Sequence, residues 1–159
     1  MDKALVKLSD EDLAVEYARL FVGPFELQAP PYGSFYMENE KRLMGDSTIE
    51  AVRIYEEEGL VIDGDFKELP DHITVELEFM YYLCCKKADA ITAKDTEAAR
   101  KFSTKQRFFH EKFISKWVPG FCERIKTCAD NSFYVSLAEC LSAFVSGCAT
   151  RDVPETYGE

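Results

Sequence analysis

The sequence predicts an all-α fold: a single-domain helical bundle of about six helices, with an aromatic loop after the first helix. Apolar residues recur at helical spacing along most of the 159 residues, and no strand-like alternation extends beyond a few residues. Capping residues, glycines and prolines punctuate the pattern where helices would begin and end. A chain of this length buries enough surface for one core, so we expect one domain over residues 1–159, with frayed ends at 1–8 and 151–159.

The first predicted helix begins at Ser9, which has an acidic residue three positions later and so forms a capping box. It ends at Gly23. Residues 25–45 are predicted to form the aromatic loop, because two adjacent prolines oppose a helix start there. The second helix is expected to be capped by Ser47 and to end at Gly59.

Four more helices complete the predicted bundle. The third covers about 71–88, and the fourth begins near Asp95 and ends before Pro119. Pro119 is expected to begin a fifth helix that continues to about residue 129, and residues 130–132 cap a sixth. The stripes predicted to face the core include Ile49, Val52 and Tyr55; Ile73, Leu77, Met80, Tyr81 and Cys84; Ala98, Phe102, Phe109, Phe113 and Trp117; and Phe133, Leu137, Cys140, Leu141, Phe144 and Cys148.

The formal net charge of -10 excludes some partners and favours others. An acidic surface repels phosphate backbones, so we expect no nucleic-acid partner and an attraction for basic partners. No stretch is apolar for long enough to insert into a membrane, and the N-terminus carries no secretory segment. Six cysteines are too few for a disulfide scaffold. We therefore predict a cytoplasmic protein with reduced thiols.

Enzyme and cofactor motifs are missing from the sequence. It contains no phosphate-binding glycine loop, nucleophile elbow or zinc-binding helix motif, so we predict a protein that is not an enzyme and has no cofactor or metal. The cysteines form no C-x-x-C pair. A metal- or cluster-binding role for them remains an alternative to the simpler interpretation that they are small core residues.

A carboxylate–imidazole motif opens the third helix. Pro70 favours a helix start, and Asp71 is predicted to cap it. His72 and Glu76 are four residues apart and share a helical face with Phe79. An ionised carboxylate beside the imidazole would raise the pKa of His72. The alternative is a structural helix cap with an ordinary surface salt bridge.

Two aromatic segments admit a structural and a functional interpretation. Tyr32, Phe35 and Tyr36 either anchor their loop to the bundle or line a recognition surface. The segment from His110 to Trp117 is predicted to be a buried packing seam with one satisfied histidine, since aromatic stripes at helical spacing usually belong to the core.

The order of these motifs resembles the TorD-like redox-enzyme maturation chaperones, a group that includes the DmsD- and NarJ-type proteins. The resemblance covers about residues 15–144. It rests on the Pro-Pro-Tyr-Gly-Ser-Phe-Tyr loop, Met44-Gly45, Tyr55 with Gly59-Leu60, the segment 70–80, and His110 with the Trp-Val-Pro-Gly-Phe run that ends at Phe121.

The resemblance implies a cytoplasmic chaperone that binds the twin-arginine leader of a molybdoenzyme subunit and the apo-enzyme before cofactor loading and export. We expect a monomer or a dimer. Rival interpretations are a helical adaptor for a folded partner and the cysteine-based metal protein. The predicted peptide-binding set combines residues that the resemblance implies with neighbours added from helix geometry and charge: Tyr32, Gly33, Ser34, Tyr36, Glu68, Pro70, Asp71, His72, Glu76 and Phe79. Glu68, Asp71 and Glu76 are predicted to supply negative charge to basic leader residues, beside an apolar groove.

Overall fold

The structure, a computed structural model, describes residues 8–23 and 27–148. Its α-helices are α1 (Asp10–Tyr17), α2 (Gly33–Met37), α3 (Asp46–Glu57), α4 (Ile73–Thr92), α5 (Thr96–Phe109), α6 (Ser115–Cys128) and α7 (Ser132–Cys148). The described residues form no strand, which confirms the all-α prediction. None of the described helices is long and apolar enough to cross a membrane. The predicted frayed ends lie, apart from Leu8, outside the described residues.

Local capping signals identified several helix ends correctly. Ser9 Oγ accepts from the Asp12 backbone N–H at 3.1 Å, and the Asp12 carboxylate accepts from the Ser9 N–H at 3.0 Å. This is the predicted capping box. Asp95 caps α5 through the Ala98 N–H at 2.9 Å. Gly59, with φ 74°, follows α3 in the left-handed region that glycine adopts at low cost.

The predicted loop over residues 25–45 contains a short helix, α2, directly after its prolines. No side chain of its own caps α2. The Gly33 N–H donates to the Asp71 carbonyl at 2.9 Å, and the Ile73 N–H donates to the Pro31 carbonyl at 2.9 Å. The predicted Ser47 cap is also wrong, because α3 begins at Asp46 with Gly45 as its N-cap, and the Ser47 N–H donates to Glu38 at 2.8 Å. Partners outside the helix stabilise both helix starts, and for α2 the partner, Asp71, is far along the chain.

The prediction that Pro119 separates two helices is wrong. A π-helical turn, His110–Ile114, joins α5 to α6, and Pro119 lies inside α6. The irregularity in the backbone hydrogen bonds therefore occurs upstream of the proline, at the π-helical turn, where helices commonly bend. Trp117 and Phe121 are buried on either side of Pro119. Their packing explains why the helix continues through it.

The core-facing stripes of α4 and α7 differ from the prediction. On α4, Tyr81 is 70% exposed, whereas Phe79 and Leu83 are buried. On α7, Ala138 and Val145 are buried. The predicted stripe of α7 is instead largely exposed; these residues are Phe133, Leu137, Cys140 and Phe144. Both helices carry apolar residues on more than one face, so periodicity alone did not select the buried one.

Aromatic rings fill the centre of the bundle. Phe79 packs against Tyr55 at 4.8 Å and against Phe109 at 4.7 Å between ring centroids. Buried His110 lies 2.9 Å through Nε2 from the Val145 carbonyl, which confirms the predicted packing seam with a satisfied histidine. Of the stripe predicted for α3, Tyr55 is buried but Ile49 is 61% exposed.

Candidate functional site

The predicted site residues converge where α2 meets the start of α4 and the middle of α6. Tyr32 pairs with His72 in an isolated antiparallel bridge. Their rings meet edge to face, with 5.4 Å between the ring centroids. Tyr36 on α2 stacks on Trp117 of α6, with 5.6 Å between the ring centroids. The resemblance therefore selected segments that are far apart in sequence and adjacent in space.

Asp71 attaches α2 to the start of α4. One of its carboxylate oxygens accepts from the Ser34 backbone N–H at 2.6 Å, and its side chain is buried with the residue 2% exposed. Its prediction as the cap of α4 is wrong, because His72 occupies that position. Asp71 instead satisfies a buried donor at the start of α2, where backbone N–H groups lack intrahelical partners.

His72 is the N-cap of α4. Its Nδ1 accepts from the Thr74 backbone N–H at 3.2 Å and lies 2.7 Å from Thr74 Oγ1. Burial lowers the pKa of His72, although the negative charges of Glu68 and Asp71 act in the opposite direction. The predicted rise in the pKa from a Glu76 partner is wrong. Desolvation exceeds the charge effects, and the Glu76 carboxyl bonds elsewhere.

Glu76 lies at the centre of the junction and is 1% exposed. Its carboxyl accepts from the Trp117 indole N–H at 2.8 Å. Burial raises the pKa of Glu76 to about 8, although the indole hydrogen bond acts against the rise. Gly33 packs directly on this pair: a Cβ there would lie 3.1 Å from both Glu76 Oε1 and Trp117 Nε1.

Tyr32 and Glu68 form the accessible edge of the predicted set. The Tyr32 hydroxyl donates to the exposed Glu68 carboxylate at 2.6 Å, and Tyr32 is half-buried. Of the three carboxylates predicted to supply negative charge to a basic ligand, Glu68 is accessible, whereas Asp71 and Glu76 are not. Both of the latter are buried, and Glu76 is mostly uncharged at neutral pH because its pKa is about 8. Peptide binding by the set stays a prediction.

An apolar groove of about 490 Å³ lies between the segment 60–66 and α4. Phe79 is the member of the predicted set that lines it, whereas Pro70 lines a smaller cavity of about 230 Å³ beside α3. The sequence reasoning did not identify this groove. A signal was present, because the run Leu60-Val61-Ile62 is apolar within an acidic connection that has no helical period.

The cysteines give no support to the metal-binding alternative. Five thiols are free within the described residues, and Cys122, which is buried, has its pKa raised to about 11 by desolvation. Across residues 8–23 and 27–148, no group of three or more His, Cys, Asp or Glu side chains could hold a metal ion.

Comparisons with known proteins identify the family. A family model described as nitrate reductase delta subunit matches residues 1–123. The chaperone protein TorD of Vibrio parahaemolyticus is 31% identical over 147 residues, which cover 89% of this chain and 66% of that protein. The Tat proofreading chaperone DmsD of Salmonella typhi is 28% identical over 131 residues, covering 82% of this chain and 57% of the relative. The chain thus spans less than two thirds of the length of these relatives.

A further relative and a solved structure are also similar to this chain. The selenate reductase assembly chaperone protein of Thauera selenatis is 29% identical over 146 residues, covering 91% of this chain and 72% of that protein. The crystal structure of a redox enzyme maturation protein from Archaeoglobus fulgidus aligns with a TM-score of 0.54 at 23% identity, over 88% of this chain and 69% of that one, and supports the fold. The chain belongs to the nitrate reductase delta subunit family.

Proposed function

We propose that this protein is a cytoplasmic chaperone for the maturation of a molybdenum-cofactor oxidoreductase. It binds the client's twin-arginine leader and the apo-enzyme before cofactor loading and export, and it acts by binding, without turnover. The observation that carries the proposal is the family match over residues 1–123, together with relatives that are named as chaperones, one of them for the assembly of selenate reductase.

The surface of the α2–α4 junction is suited to bind a basic ligand. Glu68 is exposed, and the Tyr32 hydroxyl holds one of its oxygens. Charge-assisted contacts from a leader arginine fit such a carboxylate. The net charge of -10 adds a long-range attraction that accelerates association and that salt screens.

Within the predicted peptide-binding set, the buried residues then act by positioning the Tyr32 segment and α2. Asp71 and His72 fix the backbone of the Tyr32 segment, and Glu76 supports α2 through Trp117 and the close approach of Gly33. Tyr32 and Glu68 are the members placed to touch a ligand directly.

Titration calorimetry tests this function. The titrant is a synthetic twin-arginine leader from a molybdenum oxidoreductase of the same host. We expect saturable binding that weakens when both arginines are replaced by glutamine and when salt is raised. Glu68→Gln should weaken binding roughly two- to fivefold, whereas the matched control Glu111→Gln, at another exposed glutamate, should not. An unchanged affinity after arginine replacement would contradict the proposal.

The adaptor alternative has one observation in its favour. The side chains of Phe133, Leu137 and Phe144 on α7 are 46%, 50% and 55% exposed, and contiguous exposed apolar side chains are typical of protein interfaces. An adaptor would lose its partner when these residues are replaced by serine, but it would bind no isolated leader. The leader-binding chaperone would retain leader affinity in the same variants.

A further inference from the structure

One exposed face of α7 carries an apolar stripe. Phe133, Leu137 and Phe144 are 46%, 50% and 55% exposed, and Cys140, which lies between the last two, is exposed as well. These four residues follow one another at intervals of four, three and four positions. Two helices that pack side by side in a coiled coil use the same intervals, so the stripe is suited to pack against another helix.

The rotation of α7 about its own axis is fixed, so the helix cannot turn the stripe inward. A different face of the helix holds Tyr134, Ala138 and Val145, which are buried in the core. The Tyr134 hydroxyl donates to the Leu13 carbonyl at 3.0 Å, and the Val145 carbonyl lies 2.9 Å from His110 Nε2. Contacts to α1 and to the π-helical turn before α6 therefore keep the stripe outside the core.

The order of residues along the stripe is symmetric under reversal. The intervals read four, three and four in both directions, and a phenylalanine lies at each end. When a second copy of α7 lies antiparallel about a two-fold axis through the middle of the stripe, Phe133 of each copy faces Phe144 of the other. Leu137 faces Cys140 in the same arrangement, so a large side chain meets a small one at the centre. The stripe is thus complementary to itself, as a two-fold interface requires.

The surroundings of the stripe admit a second copy. Ser136 and Ala143 flank it with small, exposed residues that let two helices approach each other closely. Glu139 is the single charged residue among residues 132–148, and it lies outside the stripe. Although the protein carries a net charge of -10, this face therefore brings few like charges together when two copies meet.

We propose that the stripe binds a second copy of this chain, as an antiparallel pair of α7 helices related by a two-fold axis. Three half-exposed side chains of this size present roughly 300 Å² of apolar surface per copy. A standard stable interface buries about 800 Å² per partner, so we expect a dissociation constant in the micromolar range. The proposal is independent of leader binding, because no residue of the predicted peptide-binding set belongs to α7.

Analytical ultracentrifugation over about 1 to about 100 μM tests the association. We expect the average mass to rise from that of one chain toward that of two as the concentration increases. Leu137→Glu and Phe144→Glu should each weaken association roughly tenfold or more, because each copy would place a carboxylate in the apolar contact. Val61→Glu, at an exposed apolar residue outside α7, is the matched control and should associate as the unmodified chain does.

Disulfide cross-linking tests the direction of the helices, with Cys140→Ala in every chain to remove the native thiol of the stripe. In the antiparallel pair, residue 133 of one copy faces residue 144 of the other, whereas the two copies of residue 133 are separated by about 16 Å along the helix axis. A mixture of Phe133→Cys and Phe144→Cys chains should therefore form a disulfide between residues 133 and 144 under mild oxidation. Phe133→Cys alone should form no 133–133 disulfide. Mass spectrometry of the linked peptides identifies the residues.

Each outcome decides the proposal. A concentration-dependent dimer that the α7 variants weaken, together with the 133–144 disulfide, supports it. A chain that stays monomeric at about 100 μM overturns it and leaves the stripe to a different protein, as the adaptor alternative requires. Equal association of Leu137→Glu and Val61→Glu overturns it as well, since the contact would then lie elsewhere. A 133–133 disulfide in Phe133→Cys alone shows a parallel pair and also overturns it.

Discussion

The buried carboxyl of Glu76 should make the stability of the bundle fall as pH rises. Its pKa is raised from 4.5 to about 8 by burial. Between these two values the folded state holds a proton that the unfolded state has lost. Stability is therefore fully present below about pH 4.5 and is lost as pH rises toward 8, with a slope approaching 1.4 kcal/mol per pH unit for one proton.

The perturbation that isolates this effect is Glu76→Gln. The glutamine carbonyl can still accept from the Trp117 indole N–H, now without a titrating group. We expect the free energy of unfolding of the unmodified chain to drop by about 2 kcal/mol relative to the variant between about pH 6 and about pH 7.5. His72, whose pKa burial lowers, contributes stability that is lost as pH falls, and this contribution cancels when the two proteins are compared.

Urea unfolding followed by circular dichroism measures this difference. Both proteins are titrated across the same pH series, and the difference in unfolding free energy is plotted against pH. The expected result is that the unfolding free energy of the variant minus that of the unmodified chain rises toward high pH. Parallel pH dependence in the two proteins would refute the reasoning, since Glu76 would then be ionised in the folded state.

Two further predictions concern the contacts around this carboxyl. Asp71→Ala should lower the free energy of unfolding by roughly 2 kcal/mol in urea titrations, because the buried Ser34 N–H loses its charged acceptor; unchanged stability would mean that this donor finds water. Gly33→Ala should cost roughly 1 to 3 kcal/mol, since its Cβ would crowd Glu76 and Trp117 at 3.1 Å and overpacking outweighs the gain in helix propensity. Gly64→Ala, where nothing lies within 4 Å, is the matched control, and an equal effect in both glycine variants would contradict the packing argument.

Short-range rules accounted for the helix ends that side chains or a glycine define locally. The Ser9 capping box, the start of α5 at Asp95 and the Gly59 terminus need only residues a few positions apart, and all three were predicted. α2 could not be predicted in this way, because its first donors are satisfied by Asp71, far along the chain. The prediction of a helix start at Pro119 was wrong for a related reason. The packing on both sides of Pro119 is a tertiary effect, and the local sequence does not reveal it.

The candidate site also combines features that the sequence predicted with features that depend on tertiary contacts. The resemblance brought the Tyr32 segment and the Asp71–His72 pair together correctly, and the structure places them in contact. Burial was not predictable from the motif: Glu76 shares a face with His72 by spacing, yet α6 covers that face and supplies Trp117 as its partner. The groove beside α4 was missed because its outer wall is an irregular segment, which has no period to read.

Co-purification from the native host tests the central claim most directly. The tagged chain is isolated under gentle conditions, and the associated proteins are identified by mass spectrometry with coverage of their N-termini. We predict a redox-enzyme subunit that retains its twin-arginine leader and lacks its molybdenum cofactor. Recovery of only the processed, cofactor-loaded enzyme, or of no redox-enzyme subunit, would contradict a role in maturation.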